Sequence, residues 1–141
     1  MLSALHPLQM TLSKSAAAIL FCFAAFVAKG QTAAAPADPG KALYVQYCLA
    51  CHQVDGSGVM QLTPPLIKSD FVQGDKARLI NILLKGLKDV EVNGEMYDNP
   101  MPPVDYLTDQ EIAQVLTYVR NNFSNKTSAV KADEVKVVRG K

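Results

Sequence analysis

Five consecutive residues, Cys48-Leu49-Ala50-Cys51-His52, constrain this 141-residue chain more than any other feature. On a helical turn, positions three and four apart share a face, so both thiols and the imidazole project from one side. The two sulfurs are then placed to add across two vinyl groups of a porphyrin, with the imidazole aimed at the iron. C-x-x-C-H is the attachment signature of a c-type haem. A large planar cofactor of this kind fills the centre of a small domain, so side chains need not supply the whole core.

Other readings of the cysteines fail on counts and context. A structural zinc site needs four protein ligands, and beyond residue 30 the only cysteines and histidines are Cys48, Cys51 and His52. A thioredoxin-like pair belongs to a βαβ setting, whereas the residues before Cys48 read as helix. A disulfide across a three-residue spacing on a helix would staple almost nothing.

The remaining cysteine and histidine, Cys22 and His6, fall in an N-terminal segment with the features of a secretory signal. Lys14 and Ser15 precede an apolar run from Ala16 to Ala28, and Ala28-Lys29-Gly30 offers small residues for cleavage. The run is short for a membrane span. Cleavage after Gly30 is expected, with the Ala33–Ala35 run as the second choice and an uncleaved membrane anchor as the alternative. Phe21 stands where a lipobox before Cys22 would want a small residue.

Loss of residues 1–30 removes Lys14 and Lys29 and no acids, so 14 basic residues become 12 against 13 acidic ones. A net charge near zero argues against a nucleic-acid partner. With no second long apolar run, no membrane span is expected after cleavage.

The rest reads as one helical domain over residues 38–123. Residues 31–37 form a flexible Ala/Pro lead-in. A first helix opens with Asp38 as N-cap and Pro39 at the first helical position and runs into the haem motif. Gly56-Ser57-Gly58 and Thr63-Pro64-Pro65-Leu66 are loop and extended breaker. A second helix is expected over about Asp75–Lys85, with Leu79, Ile80, Leu83 and Leu84 as its apolar face and Gly86 as its stop. Asn93-Gly94 between β-prone stretches marks a hairpin over residues 90–97. Thr108-Asp109-Gln110-Glu111 is a capping box opening a helix with a stripe of Ile112, Val115, Leu116 and Val119, ending near Phe123. Residues 124–141 read as a polar tail in which Val135, Val137 and Val138 carry at most one short helix.

A low-spin haem commonly pairs histidine with methionine, whose thioether favours the reduced iron. Of Met60, Met96 and Met101, Met60 lies only eight residues past His52, too near to reach the opposite face of the ring easily. Met96 falls in the hairpin, where alternation gives it a packing role. Met101 stands between Pro100 and Pro102-Pro103, a stiff segment with few backbone donors that cannot join a helix or central strand. It is the expected second iron ligand.

On these residues the chain resembles the class I monohaem cytochromes c of bacteria. The resemblance covers residues 38–123 and implies an all-α fold wrapped around one covalent haem, with crossing N- and C-terminal helices and a short hairpin before the methionine loop. It implies that Gly40 and Tyr44 form the crossing, with Val115 and Tyr118 as partners. It also implies that the Pro64 carbonyl accepts a hydrogen bond from the haem histidine, although Thr63 replaces the usual glycine there.

The implied activity is electron transfer by a periplasmic, monomeric carrier of one haem c and its iron. Its partners would be transient: a dehydrogenase, reductase or oxidase. The segment from Asn93 to Asp109 is similar to cytochrome modules that serve quinoprotein dehydrogenases and terminal oxidases or reductases, so a bound subunit is the alternative. Met60, Leu62 and Pro64 are the expected apolar rim at the exposed haem edge. Lys85 and Lys88 are either a docking patch or a solvated helix end. An enzyme would need an open iron position, which a His52/Met101 pair closes, and a sensor would need an output domain.

Overall fold

Asp38 opens the first ordered element by accepting hydrogen bonds from the backbone N–H groups of Gly40 (2.9 Å) and Lys41 (3.2 Å). The computed structural model describes residues 38–140. The expected signal, its cleavage site, Cys22, His6 and the lead-in 31–37 lie outside them. Helix α1 spans Pro39–Tyr47 and a four-residue α2 spans Leu49–His52. Cys48 lies between them at φ −117°. The hydrogen-bond ladder still crosses the kink, from Cys48 N–H to Tyr44 O and from His52 N–H to Cys48 O, both 2.9 Å. The motif is therefore helical, on a helix bent at its first cysteine.

After a loop, α3 spans Asp70–Gln73 and α4 spans Lys76–Lys85. The sequence pattern did not reveal α3, because four residues hold too little periodicity. Its N-cap Ser69 is buried and accepts from Phe71 N–H. Asp75 caps α4 by accepting from Arg78 N–H at 2.7 Å. On α4, Leu79, Ile80 and Leu83 are buried as expected, but Ile82 is buried with them and Leu84 only half-buried. A wide apolar face is needed there, because α4 meets both neighbouring helices and the cavity described below.

Strands β1 (Val90–Val92) and β2 (Glu95–Tyr97) form the hairpin, pairing Val90 with Tyr97 and Glu91 with Met96. Asn93 and Gly94 both take positive φ, 52° and 83°, as a tight two-residue hairpin turn requires. Alternation turns Val92 and Tyr97 inward and leaves Met96 59 % exposed, so its expected packing role is not what the hairpin gives it.

Helix α5 spans Asp109–Asn121 behind the expected capping box: Glu111 N–H donates to the Thr108 hydroxyl, and Thr108 N–H donates to the Glu111 carboxylate. It stops at Asn121, short of Phe123, which sits at positive φ. Helices α1 and α5 cross as implied. Gly40 makes the crossing possible, because a Cβ there would collide with the Gln114 carbonyl and lie 2.8 Å from Tyr118 Cβ. Gln114 thus takes the place expected of Val115, whose buried side chain turns to the central cavity instead. Tyr44 stacks at tilted angles on Tyr118 (centroids 5.5 Å apart) and Phe123 (5.0 Å).

The residues past Ser124 hold more structure than their polarity suggests. Helix α6 (Ala132–Arg139) packs on α4 and α5 through Val135 and Val138, while Val137 is exposed. Lys76 pairs with Glu134 at 3.0 Å, and Arg139 pairs with Asp109. Two buried polar side chains tie this segment down. Arg120 donates to the carbonyls of Val72, Gly74 and Ser128. Asn125 accepts from Lys68 N–H and donates to Leu66 O and Val119 O. None of these bonds is visible in a hydropathy pattern.

Candidate haem site

The space left at the centre is a crevice with about 1040 Å³ of empty volume, including its open mouth. The motif supplies one wall through Cys48, Cys51 and His52. Pro64 and Leu66 flank it, Val72, Leu79 and Leu83 form its floor, and Met101 stands in the remaining wall with Val104. A smaller groove shares Cys51, His52, Pro64 and Met101 with the crevice and opens to the surface between Leu62 and the hairpin.

His52 is buried, and its Nδ1 lies 3.2 Å from the Pro64 carbonyl. A carbonyl only accepts, so Nδ1 carries the hydrogen and Nε2 keeps its lone pair for a metal. Burial lowers the pKa of the imidazole against the opposing pull of Pro64, which favours the neutral, ligating form. The Pro64 carbonyl is held by the loop around it. Gly58 N–H donates to His52 O, Leu66 N–H donates to Gly56 O, and Val59 and Thr63 exchange two backbone bonds. The non-glycine Thr63 thus fits that pairing. Tyr44 braces the motif from the other end, its hydroxyl donating to Gln53 O at 2.6 Å.

Cys48 and Cys51 are both free thiols. Burial first, and Cys51 second, push the Cys48 thiol up to about 11. Cys48 is half-buried at the crevice wall, while Cys51 is exposed at the mouth. Among the described residues no three or more His, Cys, Asp or Glu side chains are grouped so as to hold a metal ion.

Met60 is 80 % exposed and Met96 59 %, and neither lines the crevice. Met101 does, and its backbone is pinned: its N–H donates to Leu87 O at 2.8 Å and its carbonyl accepts from Leu87 N–H at 3.0 Å. Leu62 and Pro64 line the open groove as the expected rim does, and Met60 lies exposed outside it. Lys88 stands 3.6 Å from Asp89, which offsets its charge. Among the described residues no helix is long and apolar enough to cross a membrane.

A flat apolar ring that binds two thiols and takes one nitrogen and one sulfur ligand fits this donor set. Cys48, Cys51, His52 and Met101 all line the one crevice, and the rest of its lining is almost wholly hydrocarbon. Sequence reasoning singles out these four residues, and the structure places them on one crevice, but that reasoning missed the surrounding hydrogen bonds of Ser69, Arg120 and Asn125 and the Leu87 contact. Their only signal was polarity or bulk, which any surface position shares.

The cytochrome c family model matches residues 37–123. Cytochrome c-552 of Thermus thermophilus is 36 % identical over 83 % of this chain and 84 % of its own length. The fructose dehydrogenase cytochrome subunit of Gluconobacter japonicus is 35 % identical over 71 % of this chain, and the gluconate 2-dehydrogenase cytochrome c subunit of Pantoea cypripedii 32 % over 80 %. The chain spans only 22 % and 26 % of those two subunits. With the mostly helical fold and its hairpin, these matches establish that the chain belongs to the cytochrome c family, electron-transfer proteins that carry covalently attached haem c.

Proposed function

We propose that the protein is an exported single-electron carrier whose one haem c is bonded to Cys48 and Cys51, with His52 and Met101 as the axial ligands. The observation that carries this reading is the presence of His52 and Met101 in the walls of one apolar crevice. Bound haem supplies a one-electron iron couple. The chain's residues decide how that couple is used. Pro64 fixes the imidazole tautomer and orientation and raises its basicity. The Met101 thioether favours the reduced state. With His52 and Met101 both holding the iron, no position would remain for oxygen or substrate, and the bound group would exchange electrons at its exposed edge. Leu62 and Pro64 give that edge an apolar rim, suited to small, short-lived redox contacts.

Carbon monoxide tests the ligation. The reduced protein should exclude it, and Met101→Ala should bind it. Ready binding by the unsubstituted protein would end the carrier reading.

A bound-subunit role is the second reading, favoured by the likeness to two dehydrogenase cytochrome subunits. Purification from the periplasm decides between them: a free carrier elutes as a monomer, and a subunit elutes with its dehydrogenase. The mass of the exported protein reads the cleavage site, expected after Gly30. Retention of residues 1–30 would indicate a membrane-anchored form.

A further inference from the structure

The end of α4 carries a feature that helix termination alone does not explain. Gly86 caps α4 by donating its N–H to Ile82 O at 2.8 Å, and it adopts φ 77° and ψ −177°. Glycine is essentially the only residue found in that region. The methionine strap is seated on this turn. A Cβ at residue 86 would lie 2.5 Å from the Met101 carbonyl oxygen, 3.3 Å from Pro103 N and 3.4 Å from Pro103 Cδ. Within residues 100–103 Met101 has the only backbone N–H, since its neighbours are prolines. That N–H and the Met101 carbonyl are both spent on Leu87, and Val104 N–H continues the attachment to Leu83 O at 2.7 Å.

We propose that Gly86, acting with Leu87, is a positioning residue for the Met101 thioether: the missing side chain at 86 sets how far the strap stands from the iron. The proposal rests on Met101 being the axial ligand. Cβ contacts under 3.0 Å essentially do not occur, so with a methyl at residue 86 this turn and the Met101 carbonyl must move apart by about 0.5 Å. A ligand must be held within roughly that tolerance to stay productive. The prolines on both sides leave the strap few torsions with which to absorb the shift.

Gly94 provides the control. It too has a positive φ, 83°, but a Cβ there meets nothing within 4 Å. Holoproteins carrying Gly86→Ala, Gly94→Ala and Met101→Ala are compared by three measures. These are the sulfur-to-iron charge-transfer absorption of the oxidised form, the midpoint potential, and carbon monoxide binding by the reduced form. Gly86→Ala should lose most of the absorption, lower the potential and gain carbon monoxide binding, in the direction of Met101→Ala. Gly94→Ala should match the unsubstituted protein on all three. If Gly86→Ala also matches it, the positioning role is overturned. If Met101→Ala itself keeps the absorption and excludes carbon monoxide, the ligand assignment has failed instead. Should Gly86→Ala not accumulate as folded holoprotein, Leu87→Pro carries the test, because it deletes the donor to the Met101 carbonyl and leaves residue 86 alone. A partial loss of the absorption is then expected, and no change overturns the proposal.

Discussion

His52 and Met101 face the same crevice, yet they are held by different kinds of structure. His52 is part of a local device. Its helical turn is fixed by backbone bonds to residues four positions away, and the two cysteines share that turn. From farther along the chain the Gly58 N–H reaches the His52 carbonyl and the Pro64 carbonyl reaches its ring, at separations of six and twelve residues. Met101 belongs to no helix or strand. Its position depends on contacts with Gly86, Leu87 and, through Val104, Leu83, all on or just past α4. One side chain is placed by chain geometry over five residues, the other by how two distant segments meet. Local order is cheap to encode and hard to perturb from outside, whereas an assembled contact is open to adjustment by every element that supports it.

The largest effect should come from breaking the local arm. Replacing both Cys48 and Cys51 by Ala should abolish covalent attachment, read as loss of haem staining on a denaturing gel. His52 and Met101 would then have to retain the cofactor without the covalent bonds.

Met101→Ala breaks the other arm. It should leave attachment intact while opening the iron to carbon monoxide and lowering the midpoint potential. A variant that loses attachment as well would show that the two arms are not separable.

Asn125→Ala sharpens the comparison on the histidine side. It strands the Leu66 and Val119 carbonyls and the Lys68 N–H, two residues from Pro64. A destabilisation of about 1–3 kcal/mol is expected by denaturant unfolding. With the local turn intact, the charge-transfer absorption of the Met101 side should persist.

Glu134→Gln tests the support of α4 at its far end. The Lys131 backbone N–H first, and then the Lys76 ammonium, hold the Glu134 carboxyl below the usual carboxylate range. Its contribution is therefore fully present above the ordinary glutamate pKa and is lost as pH falls through the depressed folded value. The substitution should flatten the acid limb of the stability–pH curve and cost less than about 1 kcal/mol near neutrality, because the pair is partly solvated.

The caps and periodic stripes were legible because each is a short-range relation. Asp38, Asp75 and the Thr108–Glu111 box announce helix starts, and Asn93-Gly94 announces its turn. Elimination singles out the proline-walled Met101, and the structure puts it in the lining of the crevice. Helix α3 was not legible, having too few residues to show a period, and α6 was legible only as one short helix at most, around Val135, Val137 and Val138 in a polar tail, because only two of its eight residues are buried. Three of the hydrogen bonds of Arg120 and Asn125 reach carbonyls 46 to 59 residues away, a separation that no local pattern reports. Gly86 was legible as a helix stop and not as the seat of Met101, since the second role exists only once the strap has folded onto it.

By itself the sequence determined the chemistry: two thiols and an imidazole on one turn, and a thioether among prolines that exclude regular structure. Those facts follow from spacing and from torsions that each residue carries wherever it sits. The tertiary structure decided the placement. It set Gly40 against Gln114 rather than Val115, turned Val115 toward the crevice, and laid the methionine strap on a residue with no side chain. Placement of this kind depends on which surfaces meet when helices cross, and close approach is decided by the atoms of both partners together.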